Sequence, residues 1–189
     1  LLRRIGLMLI ETDAFSLGQI DSKLWAAREL ENCVKKNNIG PLNIYILGGW
    51  YALLHFVLKI RSNIEINSCR SFDLDEQACH IANVINNTWE TEDWKFRAFP
   101  EDVNLIDYPQ DINCVINTSS EHIESLEWWL KIPKDTLCLI QSNNLKIEEH
   151  VATVESIEEL ESRFPMSKML YSGSNQLPDY TRYMIIGLK

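Results

Sequence analysis

The sequence predicts one α/β domain: a mostly parallel seven-stranded sheet with helices on both faces and a C-terminal antiparallel hairpin. Three observations predict it. Short apolar runs ending in turn residues alternate with segments whose apolar side chains recur at helical spacing. The last two strand candidates are joined by a connection too short for a parallel crossover, which needs a dozen or more residues. A length of 189 residues, 46% apolar and 24% charged, suits a single compact core. The whole chain, 1–189, is therefore expected to be one domain, with 1–42 as an N-terminal helical extension or lid and 43–189 as the core.

Taken in order, Asp21 to Lys36 carries Leu24, Ala27, Leu30 and Val34 on one face, with Asp21 or Ser22 to cap it and Lys35 and Lys36 at its negative end. Gly40 and Pro41 stop that helix. Ile44 to Leu47 is a first strand, and Tyr51 to Ile60 a helix with Leu53, Leu54, Val57 and Leu58 in phase. The unit repeats as strand Ser68 to Leu74 and helix Glu76 to Asn87, then strands Trp94 to Phe99 and Ile112 to Ile116. A helix from Glu121 to Leu130 is closed by Pro133. Thr136 to Ile140 is the fifth strand, and Ser156 to Phe164 a helix with Ser156 and Glu159 spaced as a capping box. Lys168 to Tyr171 and Tyr180 to Leu188 form the hairpin, across a Gly, Ser, Asn and Pro-rich link.

Composition narrows the function classes. The longest apolar runs, such as Trp50 to Leu58, are about half the roughly 20 residues of a bilayer span, so no membrane role is expected. The chain opens Leu1-Leu2-Arg3-Arg4, and the apolar stretch Ile5 to Ile10 is followed at once by Glu11 and Asp13; this reads as an incomplete start and not as a secretory signal. Five scattered cysteines (Cys33, Cys69, Cys79, Cys114, Cys138) fit a reducing, cytoplasmic setting. No metal is expected: Cys79-His80 is an isolated pair, and His55, His122 and His150 stand far apart in sequence. A formal charge of −9 disfavours nucleic acid as partner. Oligomeric state leaves no mark in the sequence.

Four motifs fall at strand tips. Ile44-Tyr45-Ile46-Leu47-Gly48-Gly49-Trp50-Tyr51-Ala52 ends the first strand in a glycine turn before a helix, where backbone can approach an anionic ligand closely. Ser71-Phe72-Asp73-Leu74-Asp75 ends the second in acids, and an acid at that tip can accept both hydroxyls of a ribose. Asp75 has the place of a helix cap. Asn117-Thr118-Ser119-Ser120-Glu121-His122 ends the fourth strand, and Gln141-Ser142-Asn143-Asn144 follows the fifth.

This pattern resembles the class I S-adenosylmethionine-dependent methyltransferases, a Rossmann-like family whose last strand inserts antiparallel, and the likeness extends from about Asn43 to Lys189. The four motifs together also resemble uncharacterised methyltransferase-like proteins, some of them viral. The resemblance implies S-adenosylmethionine as cofactor, held by Gly48, Gly49, Trp50, Asp73 and Leu74, with Asp102 near the adenine. Trp50 and Ala52 stand where the family's second and third glycines fall, so the indole must turn aside or block the pocket. Asn117, Glu121 and His122 become the catalytic candidates: Asn117 to hold an acceptor amine or hydroxyl, Glu121 or His122 to take its proton. Thr118 and Glu121 equally have capping-box spacing. Gln141, Asn143 and Asn144 are candidates to read the acceptor, and Phe15 to Trp25, with Ser16, Gln19, Ser22 and Lys23, to fold over the cofactor. A small molecule or protein is the favoured acceptor, with RNA or DNA second. Two other classes compete: a dehydrogenase, against which the turn lacks Gly-x-Gly-x-x-Gly spacing, and a non-catalytic scaffold subunit.

Overall fold

The computed structural model describes residues 10–89 and 95–189. The opening residues Leu1 to Leu9 and Trp94, expected at the head of the third strand, lie outside the described residues. Helix α1 (Leu17–Lys36) leads into β1 (Leu42–Leu47), α2 (Leu53–Arg61), β2 (Ile66–Asp73), α3 (Glu76–Ile85) and β3 (Phe96–Pro100). There follow β4 (Cys114–Asn117), α4 (Glu127–Lys131), β5 (Leu137–Asn143), α5 (Ile157–Arg163), β6 (Lys168–Gln176) and β7 (Thr181–Leu188).

The sheet order is β3-β2-β1-β4-β5-β7-β6. Strands β1 to β5 run parallel, and β7 is antiparallel to both β5 and β6. Strand order therefore reverses between β1 and β4, and open α/β sheets bind ligands outside the carboxyl ends at such a point. Because β7 runs the other way, its first residues reach that same edge: Arg182 is in register with Asn143, the last residue of β5.

Two cores flank the sheet. One face takes Ile44, Ile46, Cys69, Ile116, Leu139 and Ile186 against α1, α2 and α3, where Leu30, Leu54, Leu58 and Ala82 are buried. The other takes Leu47, Val115, Ile140 and Ile185 against α4 and α5, where Trp128, Trp129, Leu160 and Phe164 pack together. Alternate side chains of each central strand enter opposite cores, which is why these strands read as continuous apolar runs. Asp75 caps α3, its carboxylate accepting from the Gln77 and Ala78 amides. Ser156 caps α5, accepting from the Glu159 amide, while the Glu159 carboxylate reaches back to the Glu155 amide.

Three expectations change. Helix α1 begins at Leu17, before Asp21, so the segment expected as a lid is its first turns. Ser22 Oγ donates to Gln141 Oε1 (2.9 Å) and Trp25 Nε1 to Tyr171 Oη (3.0 Å), which fixes α1 as a layer on the sheet. The helix expected over Glu121 to Leu130 is a 3-10 turn, Ser120–His122, and the separate α4. Strands β5 and β6 outrun their apolar stretches to Asn143 and Gln176, because pairing with β7 continues through polar residues.

His55 on α2 is 1% exposed; its Nδ1–H donates to Asn86 Oδ1 (2.8 Å) and its ring lies 4.6 Å from Phe96. Burial pulls its pKa from 6.5 to about 4. The unfolded chain thus takes this proton below pH 6.5 while the folded chain refuses it, so stability is full above 6.5 and falls as pH drops toward 4. Between pH 7.5 and 5 the loss should be about 2 kcal/mol, and urea titrations of His55→Leu should lack that component.

Candidate functional site

The β1–α2 turn holds its shape through left-handed backbone. Gly48 has φ +61°, Trp50 +49° and Ala52 +49°. Glycine adopts such angles freely; for a residue with a Cβ each costs roughly 1–2 kcal/mol. The strain has a visible tie: the Trp50 amide donates to Asp73 Oδ2 (2.7 Å), and Asp73 Oδ1 accepts from the Asp75 amide (3.1 Å). Asp73 thus fastens the first turn to the second strand tip, and each of its carboxylate oxygens retains a further lone pair. Gly49 is required for a different reason, since a Cβ there would stand 1.9 Å from Ser71 Oγ. The turn can lie on β2 only without a side chain at 49.

The indole turns aside. Trp50 lies tilted against Tyr51 (4.9 Å, 32°) and packs against the small cluster of Ala14, Leu53, Ala78 and Ile81. Above Gly48, the atoms a Cβ would meet belong to Ser119 and Ile123, across the switch point, and not to Trp50. No side chain caps α2, whose N-cap is Ala52. Leu74, beside Asp73, is 78% exposed. The β3 tip pairs Pro100 with Asp73, and Asp102 just beyond it closes its own loop, Oδ1 accepting from the Asn104 amide (2.9 Å).

The tips of β4, β5 and β7 enclose a buried polar cluster. Asn117 Oδ1 accepts from the Ser119 amide (2.9 Å), and its Nδ2 is buried without a partner. Glu121 does not cap a helix. Its Oε1 accepts from Asn143 Nδ2 (2.5 Å) and lies 3.9 Å from Arg182 Nη1, while its Oε2 is buried without a partner. Arg182 Nη1 also donates to the Thr118 carbonyl (3.4 Å), and its guanidinium lies over Tyr180. Ser142 Oγ and Arg182 Nε are further buried atoms without partners. Lys23 of α1 faces this group: burial first, and then the Arg182 guanidinium, pull its ammonium down to about 8.

Of the sequence candidates, Gly48, Gly49, Trp50 and Asp73 meet at one turn, with Leu74 beside it; across the switch point Asn117 stands at the β4 tip, and Glu121 and Asn143 meet beyond it. His122 is exposed on the flank of the Ser120–His122 turn. Gln141 is committed internally to Ser22 and Met184, and Asn144 Oδ1 accepts from the amide of Thr181 (2.8 Å), the first residue of β7. Sequence reasoning missed Arg182 and His150. Arg182 had one signal, a lone cation at the head of an apolar strand; His150, whose ring lies 4.6 Å from that of His122, had none.

No known protein family and no curated protein sequence matches the chain. Solved structures do match. Magnesium protoporphyrin IX methyltransferase from Synechocystis PCC 6803, with bound SAH, has a TM-score of 0.66 over 92% of this chain and 88% of that one, at 8% identity. The N-methyltransferase NodS from Bradyrhizobium japonicum WM9 gives 0.60 over 87% and 94%, at 9% identity. A SAM-dependent methyltransferase from Aquifex aeolicus gives 0.57 over 84% and 88%, at 12% identity. The fold is that of these Rossmann-like methyltransferases.

Proposed function

We propose that the protein transfers a methyl group from S-adenosylmethionine to a small polar acceptor. The observation that carries this reading is the β1–α2 turn: Gly48, Trp50 and Ala52 hold glycine-type backbone angles at the places where the resembling family has glycines, tied to the acid at the β2 tip. Keeping that geometry with two residues that resist it makes sense where backbone must cradle a ligand.

Asp73 would accept the ribose hydroxyls, Leu74 would cover the base, and the amino end of α2 would face the cofactor's carboxylate. The cofactor supplies a methyl group made electrophilic by its sulfonium. This chain's residues supply placement. Asn117, through its unpartnered Nδ2, orients the acceptor, and the acceptor's proton leaves toward Glu121 Oε2. Asn143 and Arg182 hold the other oxygen, Oε1, and leave Oε2 free to receive it. The burial of Asn117, Glu121, Ser142 and Arg182 favours a small acceptor over a macromolecule, and the charge of −9 disfavours nucleic acid. Five free, buried cysteines are consistent with a reducing cytoplasm. The likeness to viral members of the family rests on the four short motifs alone.

Calorimetry with S-adenosylhomocysteine should give one site with a dissociation constant of about 1 μM, near −8 kcal/mol. Ligand at a hundredfold excess over that constant should stabilise the fold by about 2.7 kcal/mol. Neither heat nor a thermal shift with S-adenosylmethionine or S-adenosylhomocysteine would end the proposal.

A further inference from the structure

His122 and His150 are 28 positions apart in sequence, which argued against a shared site, yet their rings lie 4.6 Å apart, edge to face. The loop after β5 doubles back. The Ala152 amide donates to the Glu121 carbonyl (2.9 Å), and the His150 amide to that of Ile147 (3.1 Å), which lays His150 against the Ser120–His122 turn. One ligand atom from each of Glu121, His122 and His150 lies within 4.8 Å of the others.

The hydrogen bonds around the three side chains leave the right atoms over. His122 Nδ1–H donates to the Glu149 carbonyl (3.0 Å) and His150 Nδ1–H to that of Leu145 (2.8 Å). Each ring is thereby fixed in the tautomer whose Nε2 keeps its lone pair, the arrangement that backbone carbonyls impose on metal-ligating histidines. On Glu121, Asn143 and Arg182 take Oε1, and Oε2 is left buried without any partner. An isolated buried carboxylate oxygen is costly, and a cation is the partner that satisfies it best.

We propose that Glu121, His122 and His150 form a binding site for a divalent first-row metal ion of the zinc type. Two neutral imidazoles and one carboxylate suit zinc, cobalt or iron(II) and not magnesium or calcium. Bonds of about 2.0–2.1 Å place tetrahedral ligand atoms roughly 3.3 Å apart, so the three ligand atoms, within 4.8 Å of one another without an ion, would draw together on binding. Three protein ligands leave a position open for water or an acceptor oxygen. The ion and the acceptor's proton would claim the same Glu121 oxygen and so exclude one another there; metal uptake itself needs no cofactor and is read without one.

The test is a cobalt(II) titration of the full chain, stripped with chelator and followed by visible absorption. The expected result is one equivalent bound, with ligand-field bands of a four- or five-coordinate ion that zinc abolishes. His150→Ala and His122→Ala should each weaken binding by more than about tenfold, since even outer-shell partners of a ligand carry about 10–100-fold. His80→Ala, at an exposed position on α3, should change nothing. His122 is exposed, so its variant keeps the test readable should His150→Ala fold poorly. Absence of saturable uptake, or uptake equal in wild type and His122→Ala, would overturn the site.

Discussion

Replacing Arg182 by methionine is expected to lower the free energy of unfolding by about 3 kcal/mol, among the largest effects of any single change outside the apolar cores. The side chains of Arg182 and Glu121 are 7% and 3% exposed and 3.9 Å apart. With the guanidinium gone, the buried Glu121 carboxyl keeps one hydrogen bond, from Asn143, and loses its cationic neighbour. The methionine fills most of the volume, so the loss reports the orphaned carboxylate and not a cavity. The control is Glu121→Gln with Arg182→Met. Both charges are then absent, and the pair of changes should cost less than Arg182→Met alone, because a buried ion pair is worth little against its neutral replacement while half of one is expensive. Urea unfolding at pH 7 of the four proteins in the cycle gives the coupling. Strict additivity would mean that solvent reaches the pair and that the cluster is not the dry site described above.

The order of elements was legible because each central strand is buried on both faces and each of the longer helices on one. Ile44 to Leu47 lies within β1, and the greater part of Ile112 to Ile116 and of Thr136 to Ile140 within β4 and β5, for that reason, and Asp75 and Ser156 became caps because their spacing leaves little else to do. Where sequence reading went astray, a long-range partner had claimed a polar side chain. The Thr118–Glu121 capping box does not form since Asn143, 22 residues on, and Arg182, 61 residues on, hold Glu121. Its helix then survives only where Trp128 and Trp129 sink into the second core. Gln141, Ser142 and Asn143 have loop composition yet remain strand, because β7 supplies their backbone partners. The glycine turn was legible in place but not in mechanism. That Trp50 and Ala52 hold φ near +50° follows from the fit of the turn on Ser71 and from the Asp73 tie, neither of which local propensity expresses.

That tie shapes what removal of Asp73 should do. Asp73→Ala deletes two amide acceptors at once, and the strained Trp50 amide loses the carboxylate that holds it, so stability should drop by about 1–2 kcal/mol. Affinity for S-adenosylhomocysteine should fall further, about 30-fold or roughly 2 kcal/mol, since a carboxylate accepting hydroxyl protons makes charge-assisted bonds. Two roles can be separated with two more variants. Asp73→Asn retains an acceptor for the Trp50 amide, so it should recover most of the stability but remain about tenfold weak, having lost the charge. Trp50→Gly in the Asp73→Ala background removes the strain that made the tie necessary; stability should partly return while binding does not. Calorimetry and thermal unfolding on the same samples give both numbers. If Asp73→Ala binds S-adenosylhomocysteine as wild type does, the acid serves the turn only, and the sugar, if it binds, rests elsewhere. If Trp50→Gly alone restores both quantities, turn shape and not carboxylate charge is what a ligand at this tip requires.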